Sequence, residues 1–225
     1  MTLGEASASF LEHLKSTKRD ERCEAATIAQ TLELLNTFLP EATLEDLTRD
    51  RLRDFVARWY VEQTSHQPSP RDLLNSLDAF LNWVDVNAGS AIQGDCSAMI
   101  AELNDSLPRA LEITATLSSQ LGSGGAFGFP EFLTSFEEGG RSQYDFDVGG
   151  SAATLEGFFR IARIVGSSIE AEELISEETV FPVTFPAAAA VALEIGYIVN
   201  LELIRTGDGW QIVACGFAYP PGTAF

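Results

Sequence analysis

The sequence is short of the residues from which most reactive sites are built, with three cysteines and two histidines in 225 positions. Cys23, Cys96 and Cys215 are odd in number and form no CxxC pair. Neither a disulfide framework nor a zinc-finger spacing can be drawn from them, and a reducing, cytoplasmic setting is expected. His13 and His66 lie in separate segments with no HxxxH or ExxH spacing, which removes the usual zinc motifs. Neither a metal nor a cofactor is expected. Long apolar runs are missing too. The least polar tract, 181–204, is broken by Pro182, Pro186, Glu194, Gly196, Asn200 and Glu202, and no stretch reaches the roughly 18 apolar residues a membrane helix needs. The opening MTLGEASASFLEHLK lacks the basic stretch and apolar run of a secretory signal, so no membrane role is expected.

Positive charge is scarce. Fourteen Lys and Arg face 33 Asp and Glu, a net charge of −19. Residues 1–90 carry nine basic and fifteen acidic side chains, and residues 91–225 carry five and eighteen, so the acid excess is concentrated in the second part. Nonspecific nucleic-acid binding draws on counterion release from a positive surface, so any DNA contact has to be local.

The apolar share, 45%, is enough to fill the core of one large or two modest domains. Over the first ninety residues the apolar positions recur at helical steps. Phe10, Leu11 and Leu14 mark a helix over about 4–18. Ile28, Leu32, Leu35 and Leu39 mark a second, stopped by Pro40. Thr43–Asp46 is a capping signature, Thr48 a further N-cap, and Leu52, Phe55, Val56, Trp59 and Tyr60 share a third helical face. Ser69 and Pro70 form an N-cap and first-turn pair ahead of a fourth helix carrying Leu73, Leu77, Phe80 and Val84, which Gly89 ends. Residues 91–121 are predicted as two helical pieces parted at Ser106 and Pro108.

The glycine-rich LGSGGAFGFP at 121–130 is the expected boundary. Phe127 and Phe129 within it are expected to pin it onto a shared core, since exposed phenylalanine is costly. Beyond it, six short strands are predicted over 143–148, 155–165, 168–174, 179–185, 192–203 and 210–218, with Thr206-Gly207-Asp208-Gly209 as the hairpin turn between the last two, since Asp-Gly readily takes positive φ. The expected fold class is therefore α+β: an all-helical domain of four to six helices over 1–122, then a small antiparallel β-barrel or sandwich over 123–225.

The succession FLEHL, TIAQTLELLNTFL, LEDLTRDRLRDFVARW and PSPRDLLNSLDAFLNWV, with a basic break at Lys18 and Arg19, resembles the N-terminal SAM-like, core-binding domain of tyrosine recombinases of the phage integrase type over residues 6–89. The resemblance implies a helical half-clamp around duplex DNA. Lys18, Arg19, Arg22 and Arg71 would contact phosphates, and Gln30 and Asn75 would face the groove. The same cations read more simply as solvated partners of Asp20, Glu21, Glu24 and Asp72. The recombinase catalytic domain has no counterpart. After residue 90 only Arg109, Arg141, Arg160, Arg163 and Arg205 remain, with no histidine, and Tyr144, Tyr197 and Tyr219 lack a setting that would activate a phosphate.

No catalytic residue is assigned. GSGGAFG lacks the lysine and strand–turn–helix frame of a phosphate loop and reads as a hinge. The acidic pairs Glu137–Glu138, Glu172–Glu173 and Glu177–Glu178 are neighbours in sequence, so on a strand they point to opposite faces and read as surface. Cys215, within WQIVACGF, reads as a small buried hydrophobe. The expectation is a non-catalytic binding protein, accessory to DNA recombination or to a DNA-associated protein. The alternative is a ligand-binding protein or enzyme with its site between the helical and β parts. The oligomeric state is left open.

Overall fold

A computed structural model of the chain describes residues 1–17, 25–63, 67–121 and 153–225. Lys18, Arg19, Arg22, Cys23, His66, the glycine-rich stretch with Phe127 and Phe129, and the strand expected over 143–148 lie outside the described residues. The chain divides into two units, Met1–Arg109 and Ala110–Thr223. The division falls inside a helix, ahead of the boundary expected at 122.

The first unit holds α1 (Leu3–Thr17), α2 (Ala25–Phe38), α3 (Arg49–Asp54), α4 (Pro70–Ala88) and the first turns of α5 (Ile92–Leu121). The starts of α3 and α4 obey local chemistry. The Thr48 hydroxyl accepts the Arg51 N–H, and the Ser69 hydroxyl accepts the Asp72 N–H ahead of Pro70 in the first turn. At the short 3-10 turn Leu44–Asp46, the Asp46 carboxylate accepts both the Thr43 N–H and the Thr43 hydroxyl, each at 2.9 Å. Gly89, at φ 68°, ends α4 in the left-handed region open to glycine. Asp85, one turn earlier, accepts the N–H groups of Ile92 and Gln93 and so caps α5 from the end of α4.

α3 runs into a π-helical turn, Phe55–Trp59, that lets Phe55, Val56, Ala57, Tyr60 and Val61 all bury completely. The Tyr60 hydroxyl donates to the Pro68 carbonyl at 2.6 Å, which satisfies the one polar atom that this ring takes into the core. Burial, with Asp72 nearby, holds its ionisation above the ordinary tyrosine range.

α5 corrects the expected break at Ser106 and Pro108, because the helix continues unbroken through Pro108. Proline removes one hydrogen bond and crowds the preceding turn, at a cost of about 3 kcal/mol. Leu103 and Leu107 before it and Ala110, Ile113 and Leu117 after it are all fully buried, and that burial outweighs the penalty.

The second unit joins the last turns of α5 to β1 (Thr154–Val165), β2 (Ser168–Glu173), β3 (Thr179–Thr184), α6 (Ala187–Ala192), β4 (Ile198–Thr206) and β5 (Gly209–Tyr219). The strands form a mixed five-stranded sheet, which corrects the expected all-antiparallel one. The order is β1-β2-β3-β5-β4, β4 returns to pair with β1, and β3 runs parallel to β5. Residues 192–197, expected as strand, are the end of α6 and a turn, because the alanine run from Ala187 favours helix. The β4–β5 hairpin pairs Thr206 with Gly209, and the positive φ falls on Gly207 (55°) rather than on Asp208-Gly209. That is the arrangement of a two-residue turn with glycine first.

The parallel seam is thin. Only Val183↔Trp210 and Thr184↔Gln211 are in register. A Cβ on Gly209 would lie 3.0 Å from the Pro182 carbonyl oxygen, so glycine there is what allows β5 to approach β3. Farther along β5, α5 takes over. Ala110, Ile113 and Leu117 belong to the same core as Phe159, Ile161, Val183, Leu201 and Ile212, and the Ala218 N–H of β5 donates to the Thr114 hydroxyl at 2.8 Å.

Thr114→Val keeps the shape of the side chain and removes the acceptor, leaving the Ala218 N–H unpaired. It is expected to cost about 1–3 kcal/mol in chemical denaturation, while Thr114→Ser retains most of the stability.

Candidate functional site

Of the cations carried over from the recombinase resemblance, the structure places one. Arg71 is exposed in the first turn of α4, with exposed Asn75 one turn farther along the same helix, and Gln30 is exposed on α2. Lys18, Arg19 and Arg22 lie outside the described residues. Three other arginines of the helical unit are engaged by acids. Arg53 grips Glu102 with two bonds of 2.8 and 3.2 Å, Arg58 pairs with Asp54 at 2.7 Å, and Arg51 pairs with Asp46 at 3.3 Å. They are bound up with carboxylates rather than presented to phosphate.

Neither described thiol is poised to react. Burial, then the charge of Asp95, pushes the Cys96 thiol up to about 11. Burial also raises Cys215, partly offset by a hydrogen bond with Ser118. Tyr197 and Tyr219 are buried, and Tyr144 lies outside the described residues. Among the described residues no group of three or more His, Cys, Asp or Glu side chains could hold a metal ion.

The carboxylates divide by position on the strands. Glu172 faces outward and pairs with Arg160 at 2.7 Å, as Glu170 does with Arg163. Glu173 points the other way and is buried, where it accepts the Ile175 and Ser176 N–H groups and holds the β2–β3 turn. Burial alone would raise its pKa, but those bonds outweigh burial and lower it.

A pair invisible in the linear sequence is Glu156 and Glu202, directly opposite one another on β1 and β4. Partial burial, then the charge of Glu202, raises the Glu156 pKa. The folded chain therefore holds this proton more tightly than the unfolded chain, and the contribution to stability is present at acid pH and lost as pH rises through the raised value. Glu202→Gln is expected to stabilise the protein by about 0.2–1 kcal/mol at neutral pH, with the gain vanishing near pH 4, as measured by urea denaturation at the two pH values.

A more promising arrangement lies at the β3–β5 seam. Where the two paired residues end, the strands leave an open cavity of about 580 Å3. Its apolar wall comes from Leu121, Phe185, Trp210 and Ile212, with Pro182 and Pro186 at the edge. Thr184, Thr206, Asp208 and Gln211 also line it and are all exposed, whereas the neighbouring Phe185, Trp210 and Ile212 are buried. No hydrogen bond or ion pair among the described residues engages these four polar side chains. Among the described residues of the lining, Asp208 is the only ionisable one. The Trp210 indole, mostly buried, carries the Arg205 guanidinium 5.6 Å from its ring centroid.

The volume falls within the range of small-molecule sites, and an apolar wall with a few converging polar groups is their usual composition. Chemically, the cavity can bind and orient. It offers one carboxylate, two hydroxyls and one amide, with no nucleophile and base in contact. Sequence reasoning missed it because its residues come from three separate segments. The one available signal was Trp210 beside the Asp208 turn.

Comparison with protein-family models, with curated proteins and with solved structures finds no match to this chain.

Proposed function

We propose that the protein is a non-catalytic binding module whose strand unit holds a small amphipathic ligand at the β3–β5 seam, while its helical unit attaches it to DNA or to a DNA-associated protein. The ligand reading is carried by the cavity, whose described lining joins four exposed, unengaged polar residues to apolar residues of the sheet's core. On β1 and β2 of the same sheet, by contrast, Arg160 pairs with Glu172 and Arg163 with Glu170.

The closed strand order, with β1 flanked by β2 and β4 and a parallel β3–β5 seam, has the character of a small Greek-key barrel of the OB type. A fold of this kind hosts many unrelated functions, so the cavity and not the barrel supports the reading. The oligonucleotide use of such barrels has little support here. Residues 153–225 carry three arginines against nine carboxylates, and all three arginines are engaged by Glu172, Glu170 or Trp210.

Filling the cavity tests the ligand reading. Thr184 is exposed at its edge, so Thr184→Trp occupies the space without entering the core. In nuclear magnetic resonance titrations of the full chain with 2-phenylethanol, residues 206–212 are expected to shift saturably. Thr184→Trp should abolish those shifts at an unchanged melting temperature. Equal shifts in the variant would reject the site.

Support for the DNA reading is the integrase-like order of helical segments and Arg71, exposed with no partner among the described residues. A phosphate contact there predicts that Arg71→Ala weakens duplex binding alike on all sequences and lowers the salt slope by about one between roughly 50 and 200 mM salt in a gel-shift titration. Binding that does not respond to Arg71 or to salt would remove direct DNA contact.

A further inference from the structure

We infer that the seam cavity selects an organic cation, an ammonium or guanidinium on an apolar body. The inference rests on the ligand reading above and assigns its chemistry. Three observations converge on it.

The first is the sign of the lining charge. Among the described residues of the lining Asp208 is the only ionisable one, and no described residue neutralises it. It stands at the exposed hairpin between β4 and β5, where Gly207 takes the positive φ and Thr206 pairs with Gly209. Among the polar groups, carboxylate and hydroxyl oxygens outnumber fixed donors, since the Thr184 and Thr206 hydroxyls can rotate to accept and only the Gln211 amide must donate. An ammonium brings three donors and no acceptor, the complement of that set.

The second is the wall. Leu121, Phe185, Trp210 and Ile212 belong to the lining and to the core behind it, which suits the apolar body of the ligand, and the Trp210 ring is already covered by the Arg205 guanidinium, so the charge of the ligand is left to Asp208.

The third is the field. Residues 153–225 have a net charge of −6, and their three arginines are engaged on the sheet itself. A cation approaching this unit is favoured over an anion before any contact forms, with an effect that salt screens.

The experiment compares three probes of nearly equal shape: phenethylammonium, 2-phenylethanol and phenylacetate. Each is titrated into the full chain at neutral pH while the Trp210 indole N–H resonance is followed. The ammonium is expected to bind about fivefold more tightly than the alcohol, the scale of a partly exposed ion pair, and phenylacetate more weakly than either. Asp208→Asn should erase the ammonium's advantage and leave the alcohol's affinity unchanged, which also shows that the variant remains folded. Equal affinities for ammonium and alcohol, or a preference that survives Asp208→Asn, overturn the inference while the cavity reading stands. Failure of all three probes to shift Trp210 removes the cavity reading and the inference together.

Discussion

A closed sheet has to hide every strand edge, and here one edge cannot be hidden by strands alone. β3 and β5 share only two residue pairs before they diverge. Left open, the rest of β5 would expose a row of unpaired N–H and C=O groups, each costly if buried without a partner. The last turns of α5 fill the gap. They place Ala110, Ile113 and Leu117 in the core of the sheet and set the Thr114 hydroxyl against the Ala218 N–H. The same constraint explains why a helix continues through Pro108, since stopping it there would leave the strand unit without its cover. It also explains the cavity. Leu121 is the last residue of α5, and the cavity is lined by Leu121 together with the ends of β3 and β5.

Local chemistry made much of the fold legible from sequence. Thr48, Ser69 with Pro70, and Gly89 mark helix ends because the groups they satisfy lie within one turn of them. Four of the five strands lie within a few residues of where alternation and turn residues place them. The readings that failed concern competition between distant and local effects. Ser106 and Pro108 carry a valid helix-start pattern, overridden by burial of Leu103, Leu107 and Ile113 on one continuous face. Parallel pairing of β3 with β5 depends on which edge is left after β4 has returned to β1, and no window of sequence records that. The glycine-rich stretch expected as the boundary lies outside the described residues, while the contacts of the described residues divide at Arg109.

The candidate site was less legible than the fold, because its groups are assembled by topology. Leu121, Phe185 and Trp210 are far apart in sequence and become neighbours only through the closure of the sheet. Glu156 and Glu202 face each other for the same reason, although acids adjacent in sequence, such as Glu172 and Glu173, are sent to opposite faces. Sequence adjacency was therefore the wrong place to look for paired carboxylates. Cross-strand register brings side chains together, and it was unknown until the pairing was.

Charge ties these features to what the molecule can recognise. In both units most described arginines are spent on the protein's own acids or rings: Arg53 on Glu102, Arg58 on Asp54, Arg160 on Glu172, Arg163 on Glu170. An exposed pair of this sort adds little to stability, typically about 0–1 kcal/mol. Its larger effect is on the surface left over, because each cation consumed internally leaves the acid excess uncompensated elsewhere. Arg71 on the helical unit and Asp208 on the strand unit are among the charged side chains that no described residue pairs. A polyanion meets attraction at Arg71 against an acidic background, so its hold must be local and salt-sensitive. A cation meets attraction at Asp208 reinforced by the charge of the whole strand unit. Both units carry an acid excess, so the internal pairing of arginines leaves an anion only a local foothold, whereas a cation meets a favourable field on either unit.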